Sequence, residues 1–269
     1  MDNDDNPTGQ ILSRRDALKL LGAGSASLFA WSAAPAAADT LTPNAVAGSA
    51  LDCIVRPELK IGPYFVDNQL NRSDIRFEPA DSSIKAGALL TLNIGVFAVT
   101  SGRCIPLEGA QLDVWHCDAQ GIYSGIKGWP FDTTGLIFLR GYQLTDPKGQ
   151  VQFKTIFPGW YSGRTVHIHV MIRTTTAEGQ YYEFVSQLFF SDTLTDRIHA
   201  LKPYVRKEPR NTRNSADSVY AKGGYQLLLN VTGSSSSSYV ARINIGLDLA
   251  NAEAGRADSL IGPGADLPR

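Results

Sequence analysis

The chain has 269 residues, of which 43% are hydrophobic and 19% are charged, a composition typical of a globular protein with a substantial core. The formal net charge is -1, and no basic run or basic helix face stands out. Because nucleic-acid binding requires a cationic surface that displaces counterions, this charge pattern excludes a nucleic-acid partner from our expectations.

The N-terminus has the pattern of an export signal. Arg14 and Arg15 precede a short apolar stretch, and small residues of the Ala-x-Ala type follow it. Paired arginines before such a stretch are typical of a twin-arginine signal. The alternative is a membrane anchor, but Gly22 and Gly24 interrupt the stretch, and a spanning helix needs about 20 apolar residues. We therefore predict that residues 1–38 are removed and that the mature protein is exported, to the periplasm or outside the cell, without a stable membrane anchor.

The chain contains three cysteines, Cys53, Cys104 and Cys117. An exported protein meets an oxidising compartment, so one disulfide with one remaining thiol is expected. We favour Cys53 with Cys104, although the sequence leaves the other pairings open.

The pattern of apolar residues predicts an all-β fold. Residues 39–83 are an irregular N-terminal segment with turn-like stretches. From there the chain alternates between short runs rich in β-branched and aromatic residues and clusters of Gly, Pro, Asp and Asn. Such runs are typical of a β-sandwich or barrel, and we predict a β-sandwich domain over residues 84–250 with long loops, followed by a loose tail at 251–269. The predicted strands are residues 88–99, 110–117, 151–157, 165–173, 182–190, 225–232 and 240–249.

Two connecting regions stand out between these strands. Residues 146–149 have the composition of a tight turn. Residues 191–224 are polar and irregular, and we predict one short helix there, at 195–201.

The most informative motif is the pair His167 and His169. The neighbouring residues are apolar and β-branched, which predicts a strand. Side chains alternate along a strand, so both imidazoles are expected on one face, ~7 Å apart along the backbone. This spacing suits two nitrogen ligands of one metal ion, although the motif alone does not distinguish zinc, copper and iron.

Two tyrosines narrow the choice of metal. Tyr161 lies in a turn just before the His167 strand, and Tyr123 lies in a loop just after an earlier strand. A phenol has an ordinary pKa of about 10, so only a strongly acidic metal ion holds it deprotonated at neutral pH. Ferric iron meets that demand better than zinc.

These residues carry a family resemblance. The stretch from residue 109 to residue 190 resembles the intradiol ring-cleavage dioxygenases, which include catechol, hydroxyquinol and protocatechuate enzymes, and it is most similar to their secreted single-chain branch. The matching positions are Gly109, Ala110, Asp113, Trp115, His116, Cys117, Asp118, Gly121, Tyr123, Arg140, Gly141, Thr145, Asp146, Gly149, Phe153, Thr155, Pro158, Gly159, Tyr161, Arg164, His167, His169, Gln187, Leu188, Phe189 and Phe190.

The resemblance implies a mononuclear Fe(III) site, with one ion per chain and no carboxylate ligand. It implies that Tyr123, Tyr161, His167 and His169 are the metal ligands and that Tyr161 also acts as a base. It further implies a small aromatic diol and O₂ as substrates and a muconate-type diacid as product.

The resemblance also assigns the walls of the substrate pocket. Arg164 would stabilise negative charge on the ring, and Gln187, Pro63 and Tyr64 would contact the substrate. The gap between Tyr161 and His167 is shorter than in the best-known members of the family, so the particular catechol stays open.

Two alternatives compete with this interpretation. One is an exported, non-catalytic β-sandwich binding module, and the other is a zinc hydrolase that uses His167 and His169. The zinc site would require a third histidine or a carboxylate ligand, which the motif does not supply. The oligomeric state is open, with the N-terminal segment a candidate for mediating a homo-oligomer.

Overall fold

The computed structural model describes residues 54–127, 131–206 and 208–250. The predicted signal, the predicted tail and Cys53 lie outside these residues. Within the described ranges, no helix is long and apolar enough to cross a membrane.

Strands dominate the described chain, together with one α-helix and several single 3-10 turns. In chain order the strands and the helix are β1 Phe77–Glu78, β2 Ser83–Ile84, β3 Leu89–Thr100, β4 Arg103–Pro106, β5 Gln111–Trp115, β6 Arg140–Leu144, β7 Gln150–Ile156, β8 His167–Thr175, β9 Tyr181–Phe189, α1 Asp192–His199, β10 Asn230–Ser234 and β11 Ser238–Leu247.

Two sheets form the body of the molecule. One has the order β10-β11-β3-β4, with β7 also paired to β3, and the other has the order β6-β5-β8-β9. The pairing of β11 with β3 is parallel, and the remaining pairs in both sheets are antiparallel. The predicted all-β, sandwich-type fold is confirmed.

The main core lies between the inner faces of the two sheets. Leu92 and Ile94 of β3 belong to the same buried cluster as Ile168, Val170 and Ile172 of β8. Burial of such side chains contributes roughly 1.5–3 kcal/mol each relative to exposure. Because side chains alternate along β8, this packing places the odd-numbered residues of the strand on the outer face of the sheet.

The N-terminal residues cover that outer face. Residues 54–76, which we call the crossover segment, run across the second sheet. The Leu59 N–H donates to the Val185 carbonyl of β9 at 2.9 Å, and Asn71 forms a β-bridge with Tyr142 of β6. The crossover segment therefore attaches to both edge strands of the second sheet and covers its centre, where Gly62 approaches His169.

Several predicted boundaries differ from the structure. The run at 225–232 begins as a 3-10 turn, Gly224–Leu227, and the strand β10 starts only at Asn230. A short apolar run does not by itself distinguish a strand from a buried turn. Strand β4 was not expected from the pattern, because all of its residues are exposed and it lacks the alternation that marks a half-buried strand.

The helix α1 begins earlier than predicted. It spans Asp192–His199, and the Ser191 hydroxyl caps it by accepting from the Leu194 N–H. The turn at 146–149 is confirmed: the Asp146 carboxylate accepts from the Lys148 N–H at 2.8 Å, and Gly149 has a φ of 72°.

The two described cysteines are in the two expected states, one in a disulfide and one as a thiol. Cys104 is disulfide-bonded, and Cys117 is a buried free thiol.

Candidate metal centre

The two histidines of β8 meet on the outer face of the second sheet. Their Nε2 atoms lie 3.1 Å apart, and both residues are buried beneath the crossover segment. Trp115 of β5 and Gln187 of β9 lie directly opposite His169 in the strand register. A row of three side chains, Trp115, His169 and Gln187, therefore crosses the centre of the sheet on the same face.

Two phenol groups converge on the histidine pair. The Tyr123 Oη lies 3.4 Å and the Tyr161 Oη lies 3.2 Å from the His167 Nε2. Tyr123 comes from the loop after β5, whereas Tyr161 comes from the loop between β7 and β8. The four predicted ligand residues, separated by up to 46 positions in the chain, thus present two oxygen and two nitrogen atoms to one point.

The hydrogen bonds of His167 define which ring nitrogen faces that point. Its Nδ1 lies 2.6 Å from the Thr165 carbonyl oxygen. A carbonyl only accepts, so Nδ1 carries the proton and Nε2 presents a lone pair. Burial, helped by the nearby Arg164 charge, lowers the pKa of His167 to about 3. Burial and the charge of His167 likewise lower the pKa of His169 well below its ordinary value.

Burial shifts the pKa values of the two phenols in the opposite direction. Burial raises the pKa of Tyr123 well above its ordinary range, and the adjacent Tyr161 raises it further. Burial also raises the pKa of Tyr161, and the Arg164 charge only partly opposes the shift. In the absence of a cation, the site therefore consists of two neutral imidazoles and two neutral phenols.

This donor set fits a strongly acidic metal ion. Neutral imidazoles are the form that binds metals. The phenols would lose their protons in this buried site only to a cation that stabilises phenolate strongly, and Fe(III) is such a cation. The zinc alternative requires a group of at least three His, Cys, Asp or Glu ligands. Among the described residues, no such group is placed to hold a metal.

Two contacts restrain the ring of His169. Trp115 stacks on it with ring centroids 4.8 Å apart and planes 7° apart. On the crossover segment, Gly62 has a φ of 72°, and a Cβ at this position would lie 3.1 Å from His169 Cε1. Glycine is thus required here both by its backbone conformation and by the close approach of the ring.

The crossover segment also supplies an aromatic wall. Tyr64 stacks on Tyr123 with centroids 4.5 Å apart and meets Tyr161 edge-on at 6.0 Å. Pro63 is exposed in the turn between Gly62 and Tyr64. The structure thus brings Tyr64 to both phenols, whereas Pro63 lies at the outer side of the turn.

Arg164 and Gln187 form a second polar group beside the histidines. The Arg164 Nη2 donates to the Gln187 Oε1 at 2.5 Å, and the Gln187 Nε2 donates to the Lys60 carbonyl at 2.7 Å. The Arg164 Nε donates to the Asp217 Oδ2 at 2.9 Å. The charge of Arg164 is therefore balanced by a carboxylate that the sequence did not single out.

The other two histidines have structural roles. His116 is buried, with Nδ1 2.8 Å from the Cys117 carbonyl and Nε2 2.7 Å from the Thr155 hydroxyl. His199 stacks on Tyr204, and its Nε2 lies 3.0 Å from the Pro158 carbonyl. These contacts account for both rings of His116 and His199 within the fold.

Comparison with known proteins gives the same class of protein as the sequence resemblance, the dioxygenases. The family model described as "Dioxygenase" matches residues 61–200. An intradiol ring-cleavage dioxygenase from Tetranychus urticae is 31% identical with a TM-score of 0.61, and the match covers 73% of this chain and 95% of that one. The dioxygenase domain of a carbohydrate-binding fusion protein from Streptomyces sp. SirexAA-E is 30% identical with a TM-score of 0.51, over 72% of this chain and 99% of that domain.

A catechol 1,2-dioxygenase from Candida albicans is 27% identical over an alignment of 162 residues, and the match covers 52% of this chain and 51% of that enzyme. The chain thus spans about half the length of that relative. The family model and the Tetranychus match together show that this chain belongs to the intradiol ring-cleavage dioxygenase family.

Sequence reasoning missed two residues of the site. Asp217 lies in the polar region 191–224, where no periodicity or motif distinguishes it. Trp115 was part of the motif that carries the resemblance, but its stack on His169 follows only from the register of β5 and β8.

Proposed function

We propose that this protein is a non-haem Fe(III) dioxygenase. It cleaves catechol-type rings between the two hydroxyl-bearing carbons, adds both atoms of O₂ and releases a muconate-type diacid. The observation that carries the proposal is the approach of the Tyr123 and Tyr161 oxygens and the His169 nitrogen to within 3.4 Å of His167 Nε2.

Ferric iron would supply a Lewis acid that holds the two catechol oxygens and draws charge from the ring, so that O₂ reacts with the organic substrate. Tyr123, Tyr161, His167 and His169 would hold the ion. Two phenolates and no carboxylate favour the ferric over the ferrous state, since hard anionic oxygens stabilise the higher charge.

The two tyrosines have different roles, which their surroundings support. Tyr123 is 5% exposed and stacked on Tyr64, so it is the fixed ligand. Tyr161 is half-buried in a loop, so it is the residue able to move away. Because burial raises the pKa of Tyr161, its Oη would be a strong base toward a catechol hydroxyl in this site.

Arg164 acts on the charge of the bound ring. Its guanidinium is hydrogen-bonded to Gln187, the cross-strand neighbour of His169, which places it beside the reacting centre. A fixed cation in a water-poor site stabilises negative charge that develops on the substrate. Tyr64, stacked on Tyr123, forms the wall from the crossover segment.

Purified protein tests the proposal directly. We expect about one iron per chain and a broad visible band from tyrosinate bound to Fe(III), which shifts when catechol is added. Oxygen uptake with catechol, protocatechuate and hydroxyquinol, run under ¹⁸O₂, should yield a diacid that carries two labelled atoms. A colourless protein that contains its full iron, or a product with one labelled atom, contradicts the proposal.

The predicted export adds a second proposal. We propose that the chain leaves the cytoplasm through a twin-arginine signal over residues 1–38, which lies outside the described residues. N-terminal sequencing of protein recovered outside the cytoplasm should begin near residue 39, and a chain that retains Met1 contradicts it.

A further inference from the structure

The carboxylate of Asp217 is fully buried and has four hydrogen-bond donors. The Oδ2 accepts from the Arg164 Nε at 2.9 Å and from the Thr165 N–H at 2.8 Å. The Oδ1 accepts from the Val219 N–H at 2.9 Å and from the Tyr220 N–H at 2.8 Å. Its side chain is 0% exposed, so these contacts hold the carboxylate in one place.

This environment keeps Asp217 charged. Burial alone would raise the pKa of Asp217, but the Arg164 charge and the hydrogen bonds from Tyr220 and Thr165 outweigh burial and lower the pKa. A buried carboxylate that accepts several hydrogen bonds is stable only with such partners.

The guanidinium of Arg164 is consequently held at two points. Asp217 binds its Nε, and Gln187 binds its Nη2 at 2.5 Å. The Gln187 amide is itself fixed, since its Nε2 donates to the Lys60 carbonyl. The hydrogen bonds of Arg164 to described residues use Nε and Nη2, which leaves the Nη1 group for a ligand.

We propose that Asp217 is the positioning residue for Arg164: together with Gln187 it fixes the guanidinium plane so that Nη1 meets the substrate as negative charge develops on the ring. This inference rests on the proposed dioxygenase function and deepens it. Asp217 does not touch the substrate. It acts because a planar cation held at two edges loses little freedom when the third donor binds.

Asp217 has a second contact that a test must separate from the first. It also binds the Thr165 N–H, and the Thr165 carbonyl accepts from His167 Nδ1. A loss of activity on substitution could therefore arise from a displaced metal ligand. Iron content and the visible band report on the ligand, whereas kcat in a background without Arg164 reports on the guanidinium.

A double-mutant cycle separates the two routes. Asp217→Asn in the iron-loaded enzyme should lower kcat by about 10²-fold, with a smaller change in KM and with iron content and the visible band unchanged. In an Arg164→Gln background, the same substitution should change kcat by less than about twofold. Asp113→Asn is the matched control, since Asp113 pairs with Arg173 at 3.1 Å with 12% and 15% side-chain exposure, and its kcat should stay at the wild-type level.

Either of two results overturns the inference: a kcat within twofold of wild type for Asp217→Asn, or an equal loss of kcat with and without Arg164.

If Asp217→Asn does not fold, the Arg164→Ala variant is used for the test instead. Guanidinium ions should restore its turnover in a saturable way and methylammonium should not, because Asp217 and Gln187 together bind a planar fork; absence of rescue overturns the inference. A wild-type protein without ring cleavage contradicts the proposed function itself, whereas an active wild type with a silent Asp217→Asn contradicts only this inference.

Discussion

Trp115 lies flat against His169, with ring centroids 4.8 Å apart and planes 7° apart. The two residues are directly opposite each other on β5 and β8. Among the described residues, the His169 Nδ1 is buried without a hydrogen-bond partner. The Trp115 stack and the close approach of Gly62, rather than a hydrogen bond at Nδ1, therefore restrain the orientation of this imidazole.

Removing the stack should loosen the metal. We expect Trp115→Leu to weaken iron affinity by roughly tenfold or more, the range found when groups that orient metal ligands are lost. Trp115→Phe keeps an aromatic face and should lose much less. Competition with an Fe(III) chelator measures both, and equal affinities for the Leu variant and wild type would show that the stack has no role.

The close approach of Gly62 to His169 gives a second prediction. Gly62→Ala introduces a strained left-handed residue, at a cost of about 1–2 kcal/mol, and also a Cβ 3.1 Å from the His169 ring. Gly179→Ala is the matched control, because its φ is 80° and a Cβ there would meet no described atom within 4 Å. Both variants should unfold at lower temperature, but only Gly62→Ala should shift the visible band. A normal band in Gly62→Ala contradicts the contact.

Loss of a histidine ligand should remove the iron. His169→Ala deletes one of the two Nε2 atoms that lie 3.1 Å apart, and we expect purified protein with little iron and no visible band. His199→Gln is the control, since His199 is half-buried away from the candidate ligands, with its Nε2 3.0 Å from the Pro158 carbonyl oxygen. Metal analysis measures the iron content of both variants. Full iron with full turnover in His169→Ala would refute the ligand assignment.

The two tyrosines should respond differently to loss of the hydroxyl. Tyr161→Phe should keep most of its iron but slow the deprotonation of bound catechol, because the departing base is gone. Tyr123→Phe removes the fixed phenolate and should change the visible band even before substrate is added. Stopped-flow spectra with catechol separate the two effects, and identical behaviour of the variants would argue against distinct roles.

Asp113 should make stability depend on pH. Burial raises its pKa to about 6, although Arg173 opposes the shift. The negative charge of Asp67, which also pairs with Arg173 at 2.9 Å, raises the pKa of Asp113 further. A raised pKa means that the folded protein holds a proton that the unfolded chain releases. The contribution of Asp113 to the free energy of unfolding is therefore fully present below about pH 4 and is lost as the pH rises to about 6.

The size of this loss is at most about 3 kcal/mol, from 1.36 kcal/mol per pKa unit. Asp113→Asn should remove that part of the pH dependence. Denaturant unfolding of wild type and variant between pH 4 and pH 7 measures the difference, and parallel stability curves would contradict the assigned pKa.

The chemistry of the site was predictable from local patterns. The apolar run around His167 predicted a strand, and the strand period put His167 and His169 on one face. The phenols of Tyr123 and Tyr161 then favoured a ferric centre, because only a strongly acidic cation holds a phenol deprotonated at neutral pH. The strand β8 is confirmed, because side-chain alternation is a local property of the sequence, whereas the ferric centre stays a prediction.

The location of the site was not predictable in the same way. The sequence alone determined most of the core strands, the candidate ligand residues and the family resemblance. Only the tertiary structure decided that the ligands lie on the outer face of the second sheet, beneath Gly62 and Tyr64, and that Asp217 faces Arg164 from 53 residues away in the chain. The physical reason is that strand register and loop closure bring together residues whose separation carries no periodic signal, so packing and hydrogen bonding select these partners rather than local propensity.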